Sequence, residues 1–195
     1  MACKLQEFPN ILLNLIVIYD SKFGIAKNDK YPFPRFHTDF EFMCSISKQI
    51  SDPTKRNVLI FGRKSWTADC SLIRRVWKSE YIIVLSRSIN SIEGVDYVAN
   101  SLEDAITHLL LPSASCETEN IWVFGGSFIY KLALESDFNC KIFATEISHD
   151  FGCNVFFPFQ SLPAIKEAYD DRLPTKDIVK EHGYEYTFHV YDKIA

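Results

Sequence analysis

Hydrophobic residues in this chain gather in short dense blocks separated by stretches of a different period. Residues 12–19, 58–61, 81–85 and 121–124 are runs of Leu, Ile, Val, Phe and Trp bounded by Asp, Gly, Ser or Asn. Runs of that length and density predict strands buried on both faces. Residues 97–99 read as a weaker strand. Residues 140–147 and 184–191 read as longer ones, the last alternating aromatic with polar positions. Helical spacing fills the gaps. Thr38 with Glu41 three residues on predicts an N-cap and a helix to about residue 49, and Ser101 with Asp104 predicts a second through residue 111. A short helix starts over 64–68 and another runs over 128–135. Residues 23–35, with Gly24, Pro32 and Pro34, keep no period and read as a long loop of the kind that carries function. Alternating strands and helices predict one α/β domain: a single mainly parallel twisted sheet with an antiparallel C-terminal strand and helices on both faces. Residues 1–11 are set apart as an N-terminal extension and 12–195 as the domain.

Ligands of such sheets sit beyond the carboxyl ends of the strands. Gly24, Gly62, Ser86 with Arg87, and Gly125 with Gly126 all follow a strand directly, so they are placed to converge. The most informative stretch is Ile121 to Tyr130, where an apolar run meets Gly125-Gly126-Ser127 and turns into a helical pattern. Paired glycines permit close backbone approach, and a helix start presents free N–H groups and a positive dipole end to an anion. On its own, Gly-Gly-Ser is more often a plain turn into a helix.

Composition narrows the classes. The 195 residues are 47% hydrophobic and 24% charged with a formal charge of −4, so the chain is expected to be soluble, without a broad cationic surface for nucleic acid. No run reaches membrane-spanning length. The six cysteines form no CxxC pair, and the N-terminus lacks the build of a signal peptide, which predicts free thiols in the cytoplasm. No metal site is expected.

Five segments in one order, Leu15 to Ile25, Tyr31-Pro-Phe-Pro34, Asn57 to Trp66, Val84-Leu-Ser-Arg87 and Trp122 to Tyr130, resemble dihydrofolate reductase. The tail Gly183 to Tyr191 is similar to the family's final strand. The resemblance spans roughly residues 12–193 and implies hydride transfer from NADPH to the pterin C6 of dihydrofolate, with a proton delivered to N5, by a monomer. It places the substrate carboxylate at Asp39 and the hydroxyl that orients it at Thr145. Ile16, Val17, Ile18, Phe40, Met43 and Phe124 match pocket-wall positions, and Tyr31, Phe33, Ser65 and Tyr130 border them. Taken without the resemblance, Asp39 reads as a first-turn acid favoured by the helix dipole, and the apolar residues as ordinary core. For the cofactor, the resemblance implies Gly125, Gly126, Ser127, Phe128 and Ile129 at the diphosphate, with Gly62, Arg63, Lys64 and Ser65 on a second turn. Ser86, Arg87 and Asn100 fall near the adenosine 2′-phosphate, and Ile18, Ile25, Ala26, Leu85, Phe124 and Tyr130 complete the cofactor-binding residues that the resemblance implies.

The departures fall in functional places. Ala26 stands where the family usually has glycine, Tyr31 where it has leucine or methionine, and Phe33 where it has tryptophan, whose indole N–H phenylalanine lacks. Glu80 stands where an arginine grips the substrate's glutamate tail, leaving Arg74, Arg75 or Lys78 as replacements and Trp77 over the benzoyl ring. Two other readings stay open: a nearly inactive nucleotide- or pterin-binding protein, and a reductase of a pterin without the tail.

Overall fold

Strand β1 (Leu12–Asp20) is apolar without alternation because it lies in the middle of the sheet, hydrogen-bonded in parallel on both sides. Its neighbours are β7 (Asn139–Ile147) and β6 (Thr118–Val123). The computed structural model describes residues 11–111, 117–159 and 165–194, with the side chains of residues 69 and 70 left aside. The proposed extension therefore lies almost wholly outside the described residues, as do Cys3 and Cys116. Cys44, Cys140 and Cys153 are free.

Beyond β6 the parallel order continues through β3 (Arg56–Gly62), β4 (Tyr81–Leu85) and β5 (Tyr97–Ala99). On the other side β11 (Tyr184–Lys193) runs antiparallel to β7 and carries β9 (Ile165–Ala168) and β10 (Val179–Glu181) on its far edge. A separate two-stranded piece joins β2 (Gly24–Ala26) to β8 (Val155–Phe156). The predicted mainly parallel sheet with an antiparallel C-terminal strand is what forms.

The period of two along β1 divides the core. Leu13, Leu15, Val17 and Tyr19 pack with α3 (Leu102–Leu110) and α4 (Ser127–Glu135) on one face. Ile16 joins α1 (His37–Lys48) and α2 (Arg63–Val76) on the other, with Phe42, Ile46, Trp66, Trp122 and Phe143. Each face thus buries one apolar stripe of two helices. No helix among the described residues is long and apolar enough to cross a membrane.

Several local expectations are corrected. Thr38 is not the N-cap of α1: the helix starts at His37 after Phe36, with no cap from its own chain neighbours. Its first N–H groups are met instead by the Glu181 carboxylate of β10, which accepts from His37 N at 2.6 Å and Thr38 N at 3.1 Å. A tertiary cap of that kind leaves no local sequence signature. The short helix expected over 64–68 continues for 14 residues to Val76, because Trp66 and Ile73 give it a buried face. The loop over 23–35 contains β2, too brief to show a period. Ser101 does cap α3, accepting from Asp104 N at 3.1 Å.

Asp20 ties the end of β1 to this loop. The side chain is 1% exposed, and its carboxylate accepts from Lys22 N at 3.0 Å, Gly24 N at 2.8 Å and Phe151 N at 3.1 Å. Asp20→Ala orphans three N–H donors and is expected to cost about 3 kcal/mol, read by chemical denaturation. A loss under about 1 kcal/mol would show that water replaces the carboxylate.

Candidate active site

The carboxyl ends of β3 and β6 approach so closely that a side chain at either glycine would crowd its neighbours. Gly62 N donates to Gly125 O at 2.6 Å. A Cβ on Gly62 would lie 3.3 Å from Gly125 O and 3.4 Å from Gly126 N. One on Gly126 would lie 3.3 Å from Ser65 Oγ. Four of the expected cofactor residues are thus in one place, joined by the cis peptide between Gly125 and Gly126. Gly125 has φ +82°, and a Cβ there would enter the ring of Tyr130 at 2.6–2.9 Å. Tyr130 is buried and donates its hydroxyl to Ile16 O at 2.6 Å. It braces β1 beneath the glycine turn.

Helix α4 begins at Ser127 with no side-chain cap. The Ser127 hydroxyl donates to Phe156 O at 2.6 Å, so this serine fastens β8 to the turn rather than closing its own helix. The uncapped start leaves main-chain donors and the dipole's positive end at the glycine surface. Ile129 is buried beneath it, and Phe128 is 58% exposed with the Arg87 guanidinium 5.7 Å from its ring centroid. Ser86 is buried and its hydroxyl accepts from Ser88 N at 3.4 Å and Ile89 N at 3.3 Å. That turn presents Arg87 outward beyond Leu85. Asn100 N donates to Asp104 at 2.8 Å, which fixes the neighbouring turn. Lys64 pairs with Asp29 at 3.1 Å, linking the start of α2 to the loop that carries Ile25 and Ala26. Arg63 is exposed at the same helix start. A cradle that a Cβ would fill, ringed by Arg63, Lys64 and Arg87, suits a dinucleotide bearing an additional phosphate.

The second half of the site hangs from α1. Asp39 lies in its first turn and faces Thr145 on β7, where period two puts Phe143, Thr145 and Ile147 toward α1. Thr145 is 2% exposed and pairs in register with Ile18 of β1. Burial pushes the Asp39 carboxyl up to about 6; a hydrogen bond with the Thr145 side chain pulls the other way, and the Glu181 charge pushes it higher. A carboxyl of that kind holds a proton at mildly acidic pH. Around it stand Ile16, Ile18, Met43 and Phe124, all on the α1 side of the sheet, with Phe40 under the Arg35 guanidinium at 4.1 Å.

Tyr31 closes the mouth. Its ring is 58% exposed and meets Phe33 edge-on at 5.1 Å. Desolvation, then the negative charge of Asp39, raises the phenol above its usual range. Phe33 is buried and packs on Phe151 at 5.0 Å. Val17 is the pocket-wall candidate whose side chain goes elsewhere, into the α3–α4 core.

The tail residues are spread out. Trp77 is buried against Phe124 at 5.1 Å and donates its indole N–H to Ser47 Oγ at 2.9 Å. Arg74 lies over Trp66 at 5.4 Å and 4.0 Å from Glu93, while Arg75 is exposed. Lys78 and Glu80 line a cleft of about 350 Å³ with Arg56, Arg74, Trp77 and Asp96. Arg56 was not anticipated from sequence. It lies one strand away at the start of β3 and donates to Ser79 O at 2.6 Å and Glu80 O at 3.2 Å, a contact visible only through the β3–β4 pairing. A larger open hollow of about 690 Å³, lined by Ser45, Ile46, Gln49, Asp171 and Arg172, sits at the other end of α1 and gathers none of the site residues.

Comparison with known proteins agrees with this geometry. A family model described as dihydrofolate reductase matches residues 12–193. The chain is 31% identical over 182 residues to the dihydrofolate reductase of Gallus gallus, covering 93% of this chain and 96% of that one. It is 31% identical over 186 residues to the viral dihydrofolate reductase of Saimiriine herpesvirus 2, covering 95% and 86%. Among solved structures, Schistosoma mansoni dihydrofolate reductase matches with a TM-score of 0.80 at 25% identity, over 95% of this chain and all of that one.

The glycine turn yields a paired prediction. Gly125 and Gly183 share a positive φ, of 82° and 80°, but a Cβ meets the Tyr130 ring at the first and nothing within 4 Å at the second. Gly183→Ala is expected to cost about 1 kcal/mol of backbone strain and Gly125→Ala about 3 kcal/mol, the excess being steric. Equal losses in denaturant titrations would mean that Tyr130 moves aside freely.

Proposed function

The chain belongs to the dihydrofolate reductase family and is an oxidoreductase of that kind; from that premise we propose that it reduces 7,8-dihydrofolate to tetrahydrofolate with NADPH as hydride donor. The observation that carries the reading is the adjacency of two unlike half-sites: a buried carboxyl with a raised pKa in an apolar pocket, and a glycine-lined, cation-ringed cradle beside it. NADPH, when bound, supplies the hydride for pterin C6. The glycines Gly62, Gly125 and Gly126, with the start of α4, would receive its diphosphate. Arg87 and Arg63 would meet the 2′-phosphate.

This chain's own part in the reaction is positioning and proton control. Ile16, Ile18, Phe40, Met43 and Phe124 give the pterin an apolar slot and exclude water. Asp39 holds the pterin amino group and ring N3, with Thr145 fixing its orientation, and favours protonation at N5. Orienting two reactants in one slot accounts for most of such a rate enhancement. Phe33 cannot offer an N–H to a pocket water, so the proton relay relies more heavily on Asp39.

A second reading is favoured by one observation. Glu80, an acid at the position where the resemblance implies an arginine for the substrate tail, lines a cleft with Arg56, Arg74 and Lys78, which suits a pterin lacking that tail. Equal kcat/KM for tailed and tailless dihydropterins would establish it.

Delivery of the N5 proton is favoured where Asp39 takes up a proton, so turnover is expected to be greatest below its pKa of about 6 and to fall as pH rises through it. Asp39→Asn is expected to lose roughly 100-fold or more in kcat with cofactor binding retained. Unaltered turnover would remove Asp39 from the mechanism. Arg87→Ala is expected to weaken NADPH binding about tenfold and to leave NADH unaffected. Parallel losses for both dinucleotides would show that Arg87 does not read the 2′-phosphate.

A further inference from the structure

A hairpin at the far edge of the sheet reaches the helix that carries the pocket acid. Strands β10 and β11 pair Glu181 with Tyr184 across His182 and Gly183, whose φ values of 51° and 80° fit the turn favoured in tight hairpins. The Glu181 carboxylate is thereby laid across the first turn of α1. It accepts four hydrogen bonds: His37 N at 2.6 Å, Thr38 N at 3.1 Å, Thr38 Oγ1 at 2.6 Å and the Tyr186 hydroxyl at 2.9 Å. Tyr186 is fully buried and packs on Phe36, the residue before the helix, at 4.8 Å between ring centroids. Both carboxylate oxygens are engaged, so the charge is fixed in place.

We propose that Glu181 is a positioning residue for the reductase reaction: its clamped carboxylate sets the start of α1, and therefore the place of Asp39, and keeps a permanent negative charge beside it. The inference rests on the reading of Asp39 as the proton-controlling acid. The helix start would ordinarily favour an ionised Asp39, and Glu181 consumes those same N–H donors and opposes that ionisation. Desolvation acts on Glu181 too, but the bonds from Thr38, His37 and Tyr186 outweigh it and hold its carboxyl down at about 2. The clamp stays charged throughout the range in which Asp39 titrates, and it loses its charge only as pH falls toward that value.

The other groups around the pair do not duplicate this role. Arg35 lies over Phe40, and its carbonyl is 3.2 Å from His182 Nε2. His37 pairs with Glu41 at 3.4 Å, both exposed on the outer face of α1. Tyr31 and Tyr186 have phenols raised first by burial, and Cys44 a thiol raised first by burial, so all three are neutral where Asp39 titrates. From β7 the facing group is Thr145, which does not titrate.

The test is a carboxyl carbon NMR titration of Asp39 in the intact protein, its resonance assigned by loss in Asp39→Asn, alongside the pH profile of kcat. In Glu181→Gln the Asp39 midpoint is expected to fall by roughly half a pH unit or more, with the alkaline limb of kcat moving the same way. Tyr186→Phe removes one donor but keeps the charge, and its midpoint should stay at the wild-type value. Glu181→Thr serves the same comparison should the Gln variant not fold. An unchanged midpoint in the neutral variant overturns the inference and leaves Glu181 a structural cap, and so does an equal shift in Tyr186→Phe. A midpoint that moves while the limb of kcat stays still upholds the coupling and overturns the catalytic reading of Asp39 instead.

Discussion

The close approach of Gly62 to Gly125 is the constraint on which the site depends. A 2.6 Å bond between the ends of two parallel strands leaves a Cβ on the first only tight contacts at 3.0–3.4 Å, and Tyr130 fills the volume beside the second. Tyr130 can lie there because its hydroxyl finds the Ile16 carbonyl on β1. One hydrogen bond and one phenol thus tie the ends of β3 and β6 to the middle of β1, in addition to the parallel ladders that set their register. The surface they leave is backbone, and the start of α4 directs main-chain donors across it. An anion-binding surface of this kind needs few charged groups, which is consistent with a chain whose net charge is −4.

The electrostatics of the two halves are opposite in sign, and each is set by its own helix start: α4 and α2 on one side, α1 on the other. The cradle side exposes N–H groups, Arg63, Lys64 and Arg87. On the α1 side Asp39 lies in the first turn of the helix and Glu181 is laid across it, and the donors there go to Glu181. Asp39 is left with the Thr145 hydroxyl and an apolar wall, which raises its pKa. The carboxylate with many donors stays ionised, and the one with few takes up a proton at a far higher pH. Two acids with separated pKa values at one helix end follow directly from where the hydrogen bonds are spent.

Much of this was legible in the sequence, for physical reasons that differ between residues. The buried parallel strands announce themselves as unbroken apolar runs, and Gly62, Gly125 and Gly126 mark where a chain must come close to another. Thr145 and Asp39 were placed by resemblance, since nothing local separates a site threonine from any strand threonine. What could not be read was long-range. Glu181 caps a helix 143 residues away, and Arg56 reaches Glu80 only because β3 and β4 are neighbours. The brief strands β2 and β8 are too short to carry a period, and they exist because Ser127 and Asp20 hold their ends. Val17 shows the reverse error: a residue adjacent in sequence to two pocket residues lies on the opposite face, as the period of a strand requires.

The replacement of tryptophan by Phe33 is accommodated by packing rather than by polarity. Phe33 meets Tyr31 at 5.1 Å and Phe151 at 5.0 Å, Phe151 meets Tyr184 at 5.1 Å, and Phe36 lies between Tyr184 and Tyr186 at 6.2 and 4.8 Å. These rings form a continuous wall from the mouth of the pocket to the hairpin that holds Glu181. A wall of that length stiffens the loop after β2 without needing a donor from it, since each edge-on pair contributes about 0.5–1.5 kcal/mol beyond its buried area. At its outer end Tyr31 is close enough to Asp39 for that charge to raise its phenol, so the wall runs from beside the buried carboxyl to the hairpin that holds Glu181. Burial and the Glu181 charge act on that carboxyl in the same direction, both raising its pKa against the single hydrogen bond from Thr145.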